Sequence, residues 1–451
     1  MTEALRQQLH DKAWARWTAL VLVSFVMMCG YFVTDVMSPL ENTLVKSGWS
    51  SSEYGIFSGA YGYINVFLLM LFFGGIILDK LGIRFTGLMS TALMLVGALI
   101  KYYALTLPFD AGSLFLGIHT QVALAALGFS IFGVGCEIAG ITVSKIIVKW
   151  FTGRSMALAL GLQVAMARIG TAMALSLSAP VAAKFGAPSA SVLVGVVALL
   201  VGFVFYVVYC VMDYREDQSC AAAATESEEG FHISDLKVIF TSKGFWLITV
   251  LCLLFYAGVF PFLKFATKLM IYKYGVDASL AGYIPAVLPF GTILLTPVFG
   301  TLYDRIGRGA TLMIIGSGLL TLVHVLFTLP ILPHWWFAVI VMIILGIAFS
   351  LVPSAMWPSV PKIIPMKQLG SAYAIIFYIQ NIGLSMVPVL IGWVIDTYAR
   401  RTLPDGAVTY DYTAPMAIFA CFGVAAIVVA IWLLSEDKKK HYGLEQANIR
   451  K

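Results

Sequence analysis

Long apolar runs alternate with short polar turns along the whole chain. A helix that crosses the hydrocarbon of a bilayer needs about 20 mostly apolar residues. Twelve runs meet that length, over residues 17–36, 53–78, 83–106, 119–149, 154–179, 187–212, 244–271, 278–302, 309–329, 335–360, 369–395 and 413–434. Six precede the polar stretch Asp213–Lys243 and six follow it. That stretch holds AAAATESEEG at Ala221–Gly230, whose small and acidic residues read as a flexible linker and not a folded domain. The expected organisation is a six-helix bundle over 1–212, a linker over 213–243, a second six-helix bundle over 244–435 and a tail over 436–451.

The two halves share a motif. Gly74–Arg84 reads GGIILDKLGIR and Gly300–Arg308 reads GTLYDRIGR. Asp79 and Asp304 stand 225 positions apart (304 − 79), and so do Gly75 and Gly300, and Gly82 and Gly307. Gly153–Gln163 (GRSMALALGLQ) is matched by Gly370–Gln380 (GSAYAIIFYIQ) at an offset of 217 (370 − 153). Repeats at half-length mark a large class of secondary transporters.

Composition agrees. Hydrophobic residues make up 60% of the chain and charged ones 12%, with a mean hydropathy of +0.91. Soluble domains carry roughly 25% charged residues, so lipid must be the solvent here. With the N-terminus placed in the cytoplasm, 20 of the 29 Lys and Arg fall on cytoplasmic turns, and both termini lie inside. The net charge of +6 forms no basic face, so no nucleic acid is expected as a partner. The six cysteines show no paired spacing and read as small hydrophobes. No cleavable signal peptide is apparent, since the first apolar run is long enough to span. There is no metal-ligand cluster, no nucleophile–base pair and no phosphate loop, so neither an enzyme, nor a cofactor, nor ATP drive is expected.

Two charges stand out inside apolar runs: Glu137 in the fourth helix (GVGCEIAG) and Arg168 in the fifth (GLQVAMARIG). Glu137 lies 16 residues before Gly153 and Arg168 lies 15 after it. At 1.5 Å per residue both sit roughly 23 Å from that turn, hence at matching depth. A charge in hydrocarbon costs at least ~3 kcal/mol, so each needs a partner or a wet cavity. A salt bridge locking the two helices is one reading. The other is a cavity in which Glu137 takes an ammonium and Arg168 grips a carboxylate with paired hydrogen bonds. Gly133, Gly140, Ser130 and Ser144 share the face of Glu137 and should leave room beside it. The second half offers neutral groups at similar depth: Tyr256, Gln380, Asn381 and Trp357, with Gln163 the first-half counterpart of Gln380. Pro261 should break the seventh helix, and Pro353, Pro358 and Pro361 should break or bend the tenth. Asp35 is expected near the outer mouth, with Lys264 and Lys268 lining it or snorkelling to it. His324 reads as a packed histidine and not a proton carrier.

The repeated G-x-x-x-D-[KR]-x-G motif on turns after the second and eighth helices resembles the signature loop of the major facilitator superfamily. The resemblance implies an all-α membrane protein of twelve transmembrane helices in two pseudo-symmetric six-helix bundles. It also implies gating by Asp79, Lys80 and Arg84 and by Asp304, Arg305 and Arg308, each Asp meeting a helix N-terminus. The second copy departs by ending Arg308-Gly309. GLQVAMARIG, FYAGVFPFLKFATK and AMWPSVPKIIPMKQLGSAYAIIFYIQNIGL resemble the branch of that superfamily containing the lysosomal dipeptide uniporter of animals. By that resemblance the substrate is a dipeptide or related zwitterion, held at its amino end by Glu137 and at its carboxyl end by Arg168. The alternative is an organic-anion or sugar-phosphate carrier using Arg168 as its anion site. No acidic dileucine signal and no N-x-[ST] sequon occur, so a plasma-membrane protein of bacterial type without an accessory subunit is expected. Uniport and proton coupling both stay open.

Overall fold

The computed structural model describes residues 12–151, 155–220, 239–365 and 368–447. It is a bundle of long helices. Eleven are individually long and apolar enough to cross a membrane, and a twelfth span is a pair bent by 60°. Span one is Ala13–Asp35, and the short helix Glu41–Lys46 follows it. Span two is built from Ser51–Gly59, a 3-10 turn Ala60–Gly62, Tyr63–Phe67 and the start of Met70–Thr106. Gly82 interrupts that last helix at φ 75, ψ 172, and span three follows it. Spans four to six are Thr120–Phe151, Met156–Phe185 and Pro188–Cys220. Spans seven to nine are Lys243–Tyr274, Tyr283–Ile306 and Gly309–Thr328. Spans ten to twelve are Trp335–Ile363, Leu369–Val394 and Thr413–Lys440. Two small hairpins cap the loops after spans three and eleven: Leu114–Phe115 with Ile118–His119, and Arg400–Thr402 with Val408–Tyr410.

The outer surface is apolar, as lipid requires. Val197, Val201, Val204, Val208 and Val211 stand exposed on span six at alternating spacings of four and three. The repeated motif has a backbone reason. Gly82 and Gly307 both adopt positive φ, 75° and 71°, where a side chain would be strained. Each turns the chain sharply between consecutive spans.

Several expectations change. The apolar run 53–78 is not one straight helix: it tightens into a 3-10 turn at Ala60–Gly62 and bends by 60° between Phe67 and Met70, where Leu69 adopts a left-handed backbone at φ 54. Spans seven and ten are unbroken through Pro261, Pro353, Pro358 and Pro361. Pro361 cannot donate to the Trp357 carbonyl four residues back, and Tyr373 Oη donates to that carbonyl instead at 3.1 Å. Span six continues through Asp213 to Cys220, eight residues into the stretch read as linker. It does so because Asp213 is buried and accepts bonds from Lys149 Nζ, Trp150 Nε1 and Tyr209 Oη. The Ala221–Gly230 segment lies outside the described residues. Span twelve also outruns its apolar stretch, and residues Gly443–Gln446 fold back onto the turn before span nine.

Among the described residues the two halves make their closest backbone contacts on one face. Call the side carrying both ends of the described chain the terminal face, and the other the far face. On the far face, a Cβ on Gly55 would sit 2.3 Å from Pro388 O, and one on Gly59 would sit 2.2 Å from Ser385 O. One on Gly392 would sit 2.2 Å from Ser51 O, and one on Gly282 2.0 Å from Leu175 O. Spans two and eleven, and five and eight, therefore touch backbone to backbone there. Toward the terminal face the same four spans carry Gly75, Gly370, Gly161 and Gly300, with nothing within 4 Å of a Cβ built on any of them. Among the described residues these four spans are closely packed on the far face and have space beside these glycines toward the terminal face.

Candidate functional site

The far-face closure is electrostatic as well as steric. Lys264 Nζ lies 2.6 Å from Asp35 Oδ1 and donates to Thr34 O at 2.8 Å. Lys268, wholly buried, lies 3.1 Å from Glu41 Oε1 and donates to Ser51 Oγ. Asp396 accepts from the backbone N–H of Ser51 at 3.0 Å and of Ser52 at 2.6 Å, capping the start of span two from the opposite half. Lys264 and Lys268 are thus paired across the halves and do not snorkel. Lys101 is likewise wholly buried, donating to Val33 O and lying over the Phe129 and Phe132 rings.

Deeper in the spans lie the two intramembrane charges. Glu137 and Arg168 are both half-buried. No ion pair joins them among the described residues. Glu137 Oε1 instead accepts from Tyr61 Oη at 2.7 Å. The Arg168 guanidinium lies over three rings, 6.0 Å from the centroid of Tyr31, 5.5 Å from Phe260 and 5.1 Å from Phe349. Phe260 and Phe349 belong to the second half. An aromatic face attracts a cation but supplies no hydrogen-bond acceptor in the guanidinium plane. The fork is left able to receive a carboxylate.

The room expected beside Glu137 is partly filled. A Cβ on Gly133 would meet Tyr61 O at 2.0 Å, and Ser130 Oγ donates to Ala60 O at 2.7 Å. Both positions seat the 3-10 turn of span two. Gly140 keeps its space, the nearest atom being Met27 Cε at 3.6 Å.

The neutral candidates divide into two groups. Trp357 Nε1 donates to Tyr256 Oη at 3.1 Å, and Trp357 stacks on Phe377 at 5.0 Å. Tyr256 also packs on Phe260 and Phe349, so this pair adjoins the rings that hold Arg168. Gln380, Asn381 and Gln163 are buried. Gln380 accepts from Cys252 Sγ, and the Asn381 amide donates to Phe377 O, leaving its own oxygen buried without a partner. His324 is wholly buried, donates from Nε2 to Gly258 O and stacks on Phe419.

At the repeated motif, Arg84 lies 3.1 Å from Asp217 Oδ2 and 3.8 Å from Asp213 Oδ2. Lys149 lies 2.7 Å from Asp213 Oδ1 and 2.8 Å from Asp217 Oδ1. These four charges tie spans three, four and six within the first half. The Asp79 side chain lies outside the described part of the structure. Lys80, Arg305 and Arg308 are exposed, and Asp304 is half-buried. The departure at Arg308-Gly309 has a structural reason. Arg308 N and Gly309 N donate to Glu445 O and Leu444 O, while the Glu445 carboxylate accepts from Thr311 N and Oγ1. A Cβ on Gly309 would come within 2.8 Å of Leu444 O.

Sequence reasoning did not single out Tyr61, Glu41 or Asp396. Tyr61 carried one local signal, its place between Gly59 and Gly62. The other two act on residues hundreds of positions away. Among the described residues no cluster of His, Cys, Asp or Glu could hold a metal.

Comparison with known proteins agrees with the architecture. The family model described as Major Facilitator Superfamily matches residues 20–388 and 263–448. The chain is 26% identical over 393 residues to the lysosomal dipeptide transporter MFSD1 of Bos taurus, covering 85% of this chain and 80% of that one. The human protein of that name is 26% identical over 394 residues, with the same coverage. Among solved structures, a bacterial homologue of the human lysosomal transporter Spinster, inward-facing and occupied, superposes with a TM-score of 0.68 at 14% identity, covering 94% of this chain and 98% of that one. A point mutant of the nucleoside transporter NupG gives 0.67 at 16% identity, covering 92% and 98%. Those two show the fold alone. With eleven spans and a bent twelfth among the described residues, and a family match across most of its length, the chain belongs to the Major Facilitator Superfamily and is a multi-pass membrane transporter of a small-molecule substrate.

Proposed function

We propose that this transporter carries dipeptides, or closely related zwitterions, by alternating access. One observation supports the reading most. Glu137 and Arg168 are charged, half-buried within spans and not bonded to each other. An anion and a cation held apart in a low-dielectric cavity suit a solute carrying both charges. Glu137 takes the ammonium, and Arg168 grips the carboxylate with its planar fork. Tyr256 and Trp357 meet the substrate from the second half, beside the rings that hold Arg168, with Gln163, Gln380 and Asn381 as further polar groups. The name carried by the MFSD1 relatives points to the same substrate class. The anion-carrier alternative uses Glu137 as the resting partner of Arg168, and Glu137 is bonded to Tyr61 instead.

The two six-helix units rock about this site. Asp79, Lys80 and Arg84, and Asp304, Arg305 and Arg308, govern closure of the terminal face. In this reading that face is cytoplasmic, supported by the Lys and Arg bias, and the lack of an acidic dileucine signal and of an N-x-[ST] sequon supports a plasma-membrane transporter without an accessory subunit.

The test is uptake of a dipeptide panel into proteoliposomes, with and without a pH gradient. Uptake of free dipeptides is expected, reduced at least tenfold by Glu137→Gln and by Arg168→Ala. Full uptake by either variant would remove that residue from the site. Dependence on the gradient separates proton coupling from uniport.

A further inference from the structure

The turn Ala60–Gly62 touches two things at once. On one side, Tyr61 Oη donates to Glu137 Oε1 at 2.7 Å. On the other, Gly62 lies against span eleven, where an added Cβ would sit 2.0 Å from Ser385 Oγ, and Gly59 lies against Ser385 O. The turn is also clamped to span four, through Ser130 to Ala60 O and through Gly133 beneath Tyr61 O. Three residues therefore join the Glu137 carboxylate to the seam that closes the far face.

We propose that Tyr61 is a positioning residue that couples occupancy of Glu137 to closure of the seam between spans two and eleven. The proposal rests on the reading of Glu137 as the ammonium site. Opening the far face must carry Gly59 and Gly62 away from Ser385. The bond from Tyr61 to Glu137 holds the turn in the shape that packs Gly59 and Gly62 on Ser385, so a hydroxyl kept on the carboxylate favours the closed seam. An ammonium bound at the second oxygen of Glu137 fixes the orientation of the carboxylate against the hydroxyl, and so favours the shape of the turn that closes the seam. Loading from the far side thus promotes closure behind the substrate. The Tyr61 ring packs on Phe129 and Phe132 at 5.6 and 6.3 Å, which keeps the hydroxyl aimed when the carboxylate is altered.

Hydrogen–deuterium exchange of the whole protein in nanodiscs tests this without labels. The reporters are peptides over 50–67 and 385–399, with span six as control. Tyr61→Phe keeps the ring and removes only the hydroxyl. Exchange at both reporters should rise about tenfold, the ratio carried by one hydrogen bond to a charged group. Glu137→Ala should raise it equally, and the double variant no further, since both delete one bond. Glu137→Gln keeps an acceptor for the hydroxyl, so exchange should stay near wild type while dipeptide uptake is lost. A dipeptide should slow exchange at the seam in the wild type and not in Tyr61→Phe. Unchanged exchange in Tyr61→Phe, or additive effects in the double variant, would overturn the coupling. If the wild type takes up no dipeptide, the substrate reading fails, and the ligand-free comparison still decides whether Tyr61 governs the seam.

Discussion

Lys264 Nζ and Asp35 Oδ1 lie 2.6 Å apart and belong to opposite halves of the molecule. Thr171 Oγ1 donates to the other carboxylate oxygen, so Asp35 is fixed on both sides. Such a pair favours the far-closed form only while both partners are present. Lys264→Ala should destabilise that form by about 3 kcal/mol, the cost of stranding one partner of a buried pair. The check is labelling of a cysteine placed at Ser38, a buried far-face position, by a bulky water-soluble maleimide. Labelling no faster than in the parent would remove this pair as a lock.

Asp396 caps a helix that it does not belong to. Its carboxylate meets the N–H groups of Ser51 and Ser52, where the helix dipole is positive. Removing it as Asp396→Ala should weaken closure by ~1 kcal/mol, and Asp396→Asn, which keeps an acceptor, by less. The same maleimide assay ranks the two. Equal rates for both variants would show that charge and not hydrogen bonding does the capping.

The chain folds back after span twelve to cap span nine. Glu445→Ala should lower stability by about 1 kcal/mol through loss of the cap at Thr311. Gly309→Ala should cost roughly 1–3 kcal/mol, because the added methyl meets Leu444 O and the Tyr303 ring. Thermal unfolding in detergent measures both. A Gly309→Ala protein as stable as its parent would mean the tail does not occupy this seat.

Burial separates two carboxylates on one helix turn. Asp213 is 1% exposed and serves Lys149, Trp150 and Tyr209, whereas Asp217 is 44% exposed. Asp213→Ala should destabilise by ~3 kcal/mol because it strands buried donors. Asp217→Ala should cost under about 1 kcal/mol and fade in high salt. Unfolding midpoints at two salt concentrations discriminate them.

The membrane spans were legible because apolar length is a local property. The recurrence of Gly82 at Gly307 was legible too, and positive φ explains it. Glu137 and Arg168 announced themselves as charges among apolar neighbours. What stayed hidden depended on partners far along the chain. Lys264 finds Asp35 across 229 positions and Lys268 finds Glu41 across 227, so no window of sequence contains either pair. The bend between Phe67 and Met70 hid because it falls at Leu68 and Leu69, two apolar residues within an apolar run. Pro361 misled in the opposite direction. Its lost hydrogen bond is replaced by Tyr373, a group from another span.

The separation of Glu137 from Arg168 carries the substrate reading, and a binding titration reaches it most directly. Affinities of a free dipeptide, its N-acetyl form and its C-terminal amide are compared in wild type, Glu137→Gln and Arg168→Ala. Acetylation should weaken wild-type binding at least tenfold and cost nothing further in Glu137→Gln. Amidation should behave in the same way with Arg168→Ala. N-acetyl and free dipeptides bound equally well by the wild type would contradict the assignment of the two charges to opposite ends of the substrate.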